Sequence, residues 1–291
     1  MAITSKVFRR GGAGGPPPSL GLVALAGCAQ TSEEKAAAGK EDQSGTSESA
    51  GGGAEGSIIR VGTTDTIVSL DPAGSYDNGS FSVQTQLFPF LLSAPYGSPD
   101  VEPDLAESAE FTSPTEYTVK IRPDAKWSDG SPITSEDVKF SFDRVVEIND
   151  ENGPSSLLWN LVEIDTPDES TVVFHLDQEN DQTFPQVLSS PAGVIVPADV
   201  FTADALTPDE TILDGKFGGE YTLTSFDKNS SATYAANPEY NGLYGQARNA
   251  EVETTYYTDA SNMKLDVQQG NIDVAYRSLS ATDIDDLEKQ D

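Results

Sequence analysis

The chain has 291 residues, 36% of them apolar and 8% aromatic, enough for one large domain or two ordinary ones with a buried core. Its 17 Lys and Arg stand against 48 Asp and Glu, a net charge of −31, and such a surface repels phosphate backbones, so nucleic acid is excluded as a partner. A single cysteine rules out an internal disulfide and Cys-rich zinc or iron–sulfur sites, a single histidine argues against a His-based metal centre, and no run of about 18 apolar residues exists to span a bilayer.

From the N-terminus, Lys6, Arg9 and Arg10 form a positive segment with no acid near it. The short apolar run Leu20 to Ala26 follows and ends at Leu25-Ala26-Gly27-Cys28. Small residues ahead of the cleavage point fit a narrow peptidase pocket. This segment resembles the bacterial lipobox, in which the Cys28 thiol takes a diacylglyceryl anchor. The departure lies upstream, where Gly11 to Pro18 would break a helical apolar region. Residues 1–27 thus read as a lipoprotein signal peptide. Residues 28–57 read as a lipidated flexible linker, polar and without an aromatic residue, with a reach of roughly 30 Å.

Ordered structure is expected from Ile58, with Ser57 to Gly62 as a strand and Leu70-Asp71-Pro72 as a turn. Asn78 to Leu92 places Phe81, Val83, Leu87, Phe88, Leu91 and Leu92 at helical spacing. Glu116 to Arg122 alternates with period two and predicts a half-buried strand. Trp127-Ser-Asp-Gly130 predicts a turn. Thr134-Ser-Glu-Asp137 has the form of a helix capping box, and the helix it opens would put Val138, Phe142, Val145 and Val146 on one face. Further strands are expected at Ser170 to Leu176, Gly193 to Val196, Glu251 to Thr258 and Ile272 to Tyr276. A hairpin is expected from Glu220 to Phe226 and Ala232 to Asn237, around Asp227 to Ser230. Helices are expected at Ser261 to Gln269, closed by Gly270, and from Asp283 to Gln290. The class is mixed α/β.

No catalytic set emerges. A Ser/His/Asp triad would need His175, which falls on the outward face of an alternating strand. Paired carboxylates such as Asp285-Asp286 carry little information in so acidic a chain. No phosphate-cradling loop and no calcium-loop pattern is present. The chain is therefore read as a non-enzyme without cofactor or metal.

The specific signal is a series of segments in fixed order. It runs Leu70-Asp-Pro72, then Pro103 to Ser108, then Tyr117 through Trp127-Ser-Asp-Gly130 to Asp143-Arg144. Ile195 to Asp199, Asn237-Pro-Glu-Tyr240 and Gln269 to Val274 follow. This series resembles family 5 of the bacterial extracellular solute-binding proteins, the oligopeptide, dipeptide and nickel binders of ABC importers, over Ile58 to Asp291. One departure is Phe217-Gly-Gly-Glu-Tyr221, where Glu220 stands in place of the family's usual proline. A second is length, since family members are nearly twice as long.

The resemblance implies a type II periplasmic-binding-protein-like fold with an extra subdomain, its first lobe largely present and its second lobe missing. It divides the first lobe into a core subdomain (residues 58–88 and 197–291) and an extra subdomain (residues 89–196). It implies peptide capture and delivery to membrane permease subunits by a monomer anchored on the extracytoplasmic face, and weak binding by this chain alone. It places Tyr76, Asp77 and Asn78 against the ligand backbone, Tyr276 as an aromatic contact, Arg277 near a ligand carboxylate and Ser155 as an approach from the extra subdomain. Alternatives within the same fold are a nickel chelate or sugar as solute, or a surface sensor or adhesin.

Overall fold

The computed structural model describes residues 54–289. The expected signal peptide, Cys28 and most of the expected linker lie outside the described residues. In chain order the first elements are β1 (Ala54–Thr63), α1 (Asn78–Leu87), β2 (Leu92–Ser93), β3 (Glu102–Pro103), β4 (Ala106–Ser113), β5 (Glu116–Ile121), α2 (Ser135–Ile148), β6 (Leu161–Asp168) and β7 (Thr171–Leu176). They continue with α3 (Phe184–Val187), α4 (Asp209–Leu213), β8 (Tyr221–Asp227), β9 (Ser231–Ala236), β10 (Asn249–Tyr256), α5 (Ala260–Gln269), β11 (Val274–Tyr276) and α6 (Ala281–Glu288). No helix among the described residues is long and apolar enough to cross a membrane.

Two main sheets organise these elements. The first has the order β11-β1-β10-β9-β8. Its β1 runs parallel to both β10 and β11, pairing Val61 with Thr254 on one side and with Val274 on the other. The hairpin β8–β9 closes the far side antiparallel to β10. The second sheet, β4-β5-β7-β6, is antiparallel throughout and draws all its strands from between Ala106 and Leu176.

The second sheet has a core of its own. Tyr117, Val119 and Ile121 alternate inward along β5, and Val172, Phe174 and Leu176 do so along β7. Helix α2 lays Val138, Phe142 and Val145 over them, with Phe142 edge-on to Phe174 at 5.1 Å and Phe174 edge-on to Phe184 at 5.4 Å. Burying each such ring contributes about 1.5–3 kcal/mol. The capping box forms: the Thr134 backbone N–H donates to Asp137 Oδ2 at 3.0 Å. Asn149 in the left-handed region closes the helix. Val146 departs from expectation and is 51% exposed. The buried face of α2 is turned toward Ser141 and Arg144, which leaves Val146 at its edge.

Arg144 explains that turn. Its guanidinium makes a bidentate pair with Asp71, at 2.7 and 2.8 Å, and the two side chains are 1% and 0% exposed. Arg144 also donates to the Thr202 and Ala205 carbonyls, while Asp71 accepts from the Ala73 and Thr207 backbone N–H groups. The buried charges are thus fully hydrogen-bonded, the condition for tolerating them inside. Trp127, 1% exposed, sits under a tight turn in which the Gly130 N–H donates to the Trp127 carbonyl and Gly130 takes φ +84. The Ser128 N–H then donates to the Phe217 carbonyl at 2.7 Å, fastening this turn beside the start of β8.

Several boundaries differ from the sequence reading. β1 starts at Ala54, ahead of Ser57, because Ala54 finds a partner in Asn249. α1 stops at Leu87, because Phe88 precedes Pro89 and is pushed to extended backbone, φ −117 and ψ 144. Leu92 consequently begins the short strand β2. Residues Gly193 to Val196 are buried but make only one bridge, Phe90 to Val194. β4 and β6 carry no clear apolar alternation and escape the sequence reading, and both are edge strands.

Candidate functional site

A cavity of about 540 Å³ lies between α1 and one face of the first sheet. That size suits a small-molecule or peptide ligand. Period-two alternation aims Val61 and Thr63 of β1, and Val252, Thr254 and Tyr256 of β10, at the same side. Tyr234 of β9 and Tyr221 of β8 extend the floor, and Phe81, Ser82 and Thr85 of α1 form the facing wall. The result is an aromatic and hydroxyl surface with few charges. Burial pushes the Tyr234 phenol well above its usual range and raises Tyr256 as well, so both remain neutral hydrogen-bonding groups.

Local sequence sets the position of the wall. The Asp77 carboxylate accepts from the Ser80 N–H at 2.8 Å and caps α1. Ser80 in turn holds the preceding loop, its hydroxyl accepting from the Val68 N–H at 2.8 Å. Gly79 is required where α1 meets that loop, since a Cβ there would stand 2.0 Å from the Thr66 carbonyl oxygen. On the other side the β8–β9 turn reaches across, with Asn229 Oδ1 accepting from the Ile67 N–H at 2.6 Å.

Three residues singled out in the sequence line this cleft: Asn78 at the start of α1, Tyr276 at the end of β11, and Arg277. Tyr276 is 42% exposed, and the Arg277 guanidinium lies 5.2 Å from its ring centroid. Arg277 also approaches Asp65 at 3.8 Å. Arg277 and Ser278 both hold positive φ, 66 and 64, an unusual pair of left-handed non-glycine residues. The Ser278 hydroxyl bonds to that of Thr64 and holds this bend against the end of β1.

The other three stand elsewhere. Asp77 faces its own helix as a cap. Tyr76 is 54% exposed and outside the cleft lining, on backbone that is extended at Ser75 and Asp77. Ser155 donates to Asn149 Oδ1 at 2.6 Å, next to the C-cap of α2, also outside the lining. Sequence reasoning missed Thr63, Thr254, Tyr256, Tyr234 and Phe81. Their signal was the alternation Val-x-Thr in β1 and Val-x-Thr-x-Tyr in β10, visible as a single face only once the strands are paired.

His175 stands on β7 opposite Glu116 of β5 and Glu163 of β6, with its Nε2 3.0 Å from Asp165, in a half-exposed acidic setting. Among the described residues no cluster of three or more His, Cys, Asp or Glu side chains is arranged to hold a metal ion.

Comparison with known proteins places this architecture. The chain matches the solved structure of the oligopeptide-binding protein AppA from Bacillus subtilis in complex with a nonapeptide, with a TM-score of 0.68 at 20% identity over 80% of this chain and 46% of AppA. It also matches the binding protein MoaA in complex with mannopinic acid from A. tumefacien R10, with a TM-score of 0.71 at 22% identity over 80% of this chain and 47% of MoaA. The fold is therefore that of the type II periplasmic binding proteins, mixed α/β. The family model for bacterial extracellular solute-binding proteins, family 5 (middle part), matches residues 100–291, and the chain belongs to that family. Among curated relatives it is 30% identical over 224 residues to the probable D,D-dipeptide-binding periplasmic protein DdpA of Escherichia coli (strain K12), covering 75% of this chain. The chain spans 43% of that relative's length.

Proposed function

We propose that this chain forms the first lobe of an extracytoplasmic solute-binding protein that captures di- or oligopeptides and delivers them to the permease of an ABC importer. The observation that carries this reading is the cleft between α1 and the sheet face, about 540 Å³, open on one side and lined by rings and hydroxyls, with Asn78, Tyr276 and Arg277 at its edge. Such a surface binds through shape, stacking and hydrogen bonds and offers no nucleophile–base pair. The peptide assignment draws on the dipeptide named for the Escherichia coli relative and the nonapeptide in the AppA complex. The mannopinic acid in MoaA shows that one fold serves several solutes, so the site must decide.

In this reading the extended segment at Tyr76 and Asp77, continuing to Asn78, runs beside the ligand main chain, which allows varied side chains. Tyr276 stacks on the ligand, Arg277 meets a carboxylate, and Ser155 approaches from the extra subdomain of residues 89–196. Residues 58–88 and 197–291 form the core subdomain. Cys28 carries a lipid, residues 28–57 act as a leash, and the protein works as a monomer on the outer face of the membrane.

The test is a thermal-shift and native mass-spectrometry screen of the chain against a peptide library, sugar acids and nickel–histidine. Peptides are expected to bind this single lobe weakly, raising the melting temperature slightly and only at high concentration. Stabilisation by a sugar acid or nickel chelate, with none by any peptide, overturns the peptide assignment. For the anchor, Cys28→Ser is expected to abolish incorporation of labelled palmitate in a bacterial host, and labelling that survives the substitution overturns it.

A further inference from the structure

A second cavity, about 210 Å³, opens beside the cleft, and Phe81 and Thr85 line both. Its walls include Phe90, Tyr240 and Tyr244, and its polar groups are Ser93, Asp104 and Glu220. The Tyr244 ring stacks on Tyr96 at 4.8 Å, and Tyr96 itself lines the main cleft, so the aromatic wall is continuous from one cavity to the other.

The two carboxylates differ. Asp104 is 4% exposed and fully engaged: Oδ1 accepts from the Tyr240 hydroxyl at 3.1 Å and the Leu243 N–H at 2.9 Å, and Oδ2 accepts from the Ser93 hydroxyl at 2.7 Å. It is a fixed acceptor, both of its oxygens already in use. Glu220 Oε1 is buried and accepts no hydrogen bond. No Lys or Arg of the described residues forms an ion pair with either acid. A buried carboxylate without a donor is costly, and each such group calls for an explanation.

We propose that this cavity is a subsite of the cleft that receives a cationic group of the bound solute, an ammonium or guanidinium, with Glu220 as its counter-charge. The proposal rests on the solute-binding reading above and names the class of side chain preferred. Two independent features fit that chemistry. Aromatic faces attract a cation through their quadrupoles, which a neutral polar group would not exploit. The orphaned carboxylate oxygen supplies the acceptor that a charged donor satisfies most strongly. Burial, reinforced by Asp104, lifts the Glu220 carboxyl from 4.5 to about 7, as expected for an acid waiting without its partner.

The test is an NMR titration of the 291-residue chain and of Glu220→Gln at pH 8 and low salt, using Ala-Lys-Ala and Ala-norleucine-Ala as probes. Lysine and norleucine differ in the terminal charge at nearly equal length. The native chain is expected to favour the lysine peptide about ten-fold, and Glu220→Gln to bring the ratio near one. A ratio near one in the native chain, or a preference that survives the substitution, overturns the subsite. Glu220→Ala is the second variant, and thermal unfolding of both shows that they fold. If neither peptide binds, the peptide reading is decided by the library screen above and n-butylammonium alone decides the subsite. Shifts at Tyr240 and Tyr244 that depend on Glu220 then support it, and their absence overturns it.

Discussion

The two sheets of this protein use aromatic residues in opposite ways. In the four-stranded unit, Tyr117, Phe142, Phe174 and Phe184 are buried against one another beneath a helix capped at both ends. In the five-stranded sheet, Tyr221, Tyr234 and Tyr256 are buried in a second core yet each turns an edge to the cleft, and Tyr276, 42% exposed, stands open at its rim. The first arrangement gives its rings wholly to the core, and the second shares its rings between a core and the lining of a cleft. The segment from Tyr117 to Arg144, the most specific stretch of the sequence, builds the first and its junction with the second, through Arg144–Asp71 and Ser128–Phe217. It identifies the chain without lining the cleft.

The junction between the regions is the place where a substitution should have the largest effect. Asp71→Ala leaves the Arg144 guanidinium buried and unpaired, and is expected to cost about 3–5 kcal/mol in urea unfolding. The double change Asp71→Leu with Arg144→Met, which removes both charges, should cost much less. Equal losses would show that the pair is not what holds the junction.

Within the four-stranded unit, Phe142→Ala is expected to cost about 3–4 kcal/mol by opening a cavity against Phe174. Peptide affinity of the folded fraction should stay the same. A change in affinity would mean that the two regions are coupled more tightly than their separate cores suggest.

Beside the cleft the expected effect is smaller and depends on pH. Glu220 keeps its proton in the folded chain up to about 7 but releases it near 4.5 when unfolded. The folded state therefore binds more protons between those values, and stability falls as pH rises across that window before levelling off. After discounting for partial exposure the fall is about 1–2 kcal/mol. Glu220→Gln should remove it. Asp168 and Asp283 act in the opposite sense and elsewhere on the scale. Held near 2 by hydrogen bonds from Ser170 and Ser280, they stabilise the fold above the ordinary 3.8 and lose that effect as pH falls through about 2.

The smallest stability change is expected at the open face itself. Tyr276→Ala removes a half-exposed ring, so unfolding should shift by no more than about 0.5 kcal/mol. Peptide binding should weaken about ten-fold, or about 1.4 kcal/mol. A large stability loss with unchanged binding would return Tyr276 to the packing role of the other sheet.

The same contrast governs what the sequence could disclose. β5 and β7 were readable because they are central strands with one face on a core, so Val119 and Val172 alternate with polar neighbours. β4 and β6 flank them, carry Glu107, Glu110, Glu163 and Asp165, and lack that alternation because an edge strand needs charge to resist further pairing. The end of α1 was misjudged because apolar spacing continues through Leu92 while Pro89 forbids helix at Phe88. In the cleft, Asn78, Tyr276 and Arg277 came from resemblance. Thr63, Thr254 and Tyr256 did not, because their common face exists only after β1 and β10 are in register.

That register has a consequence for how the molecule assembles. β1 is laid down first yet lies between β10 and β11, the last strands of the described chain. Its neighbours come from the far end of the sequence, whereas β4 to β7 pair with strands close by. Closing so long a loop is entropically slow, and local hairpins are fast. Refolding should therefore show a fast phase in which Trp127 becomes shielded and a slower one that completes the mixed sheet, so the first strand made is the last to be secured.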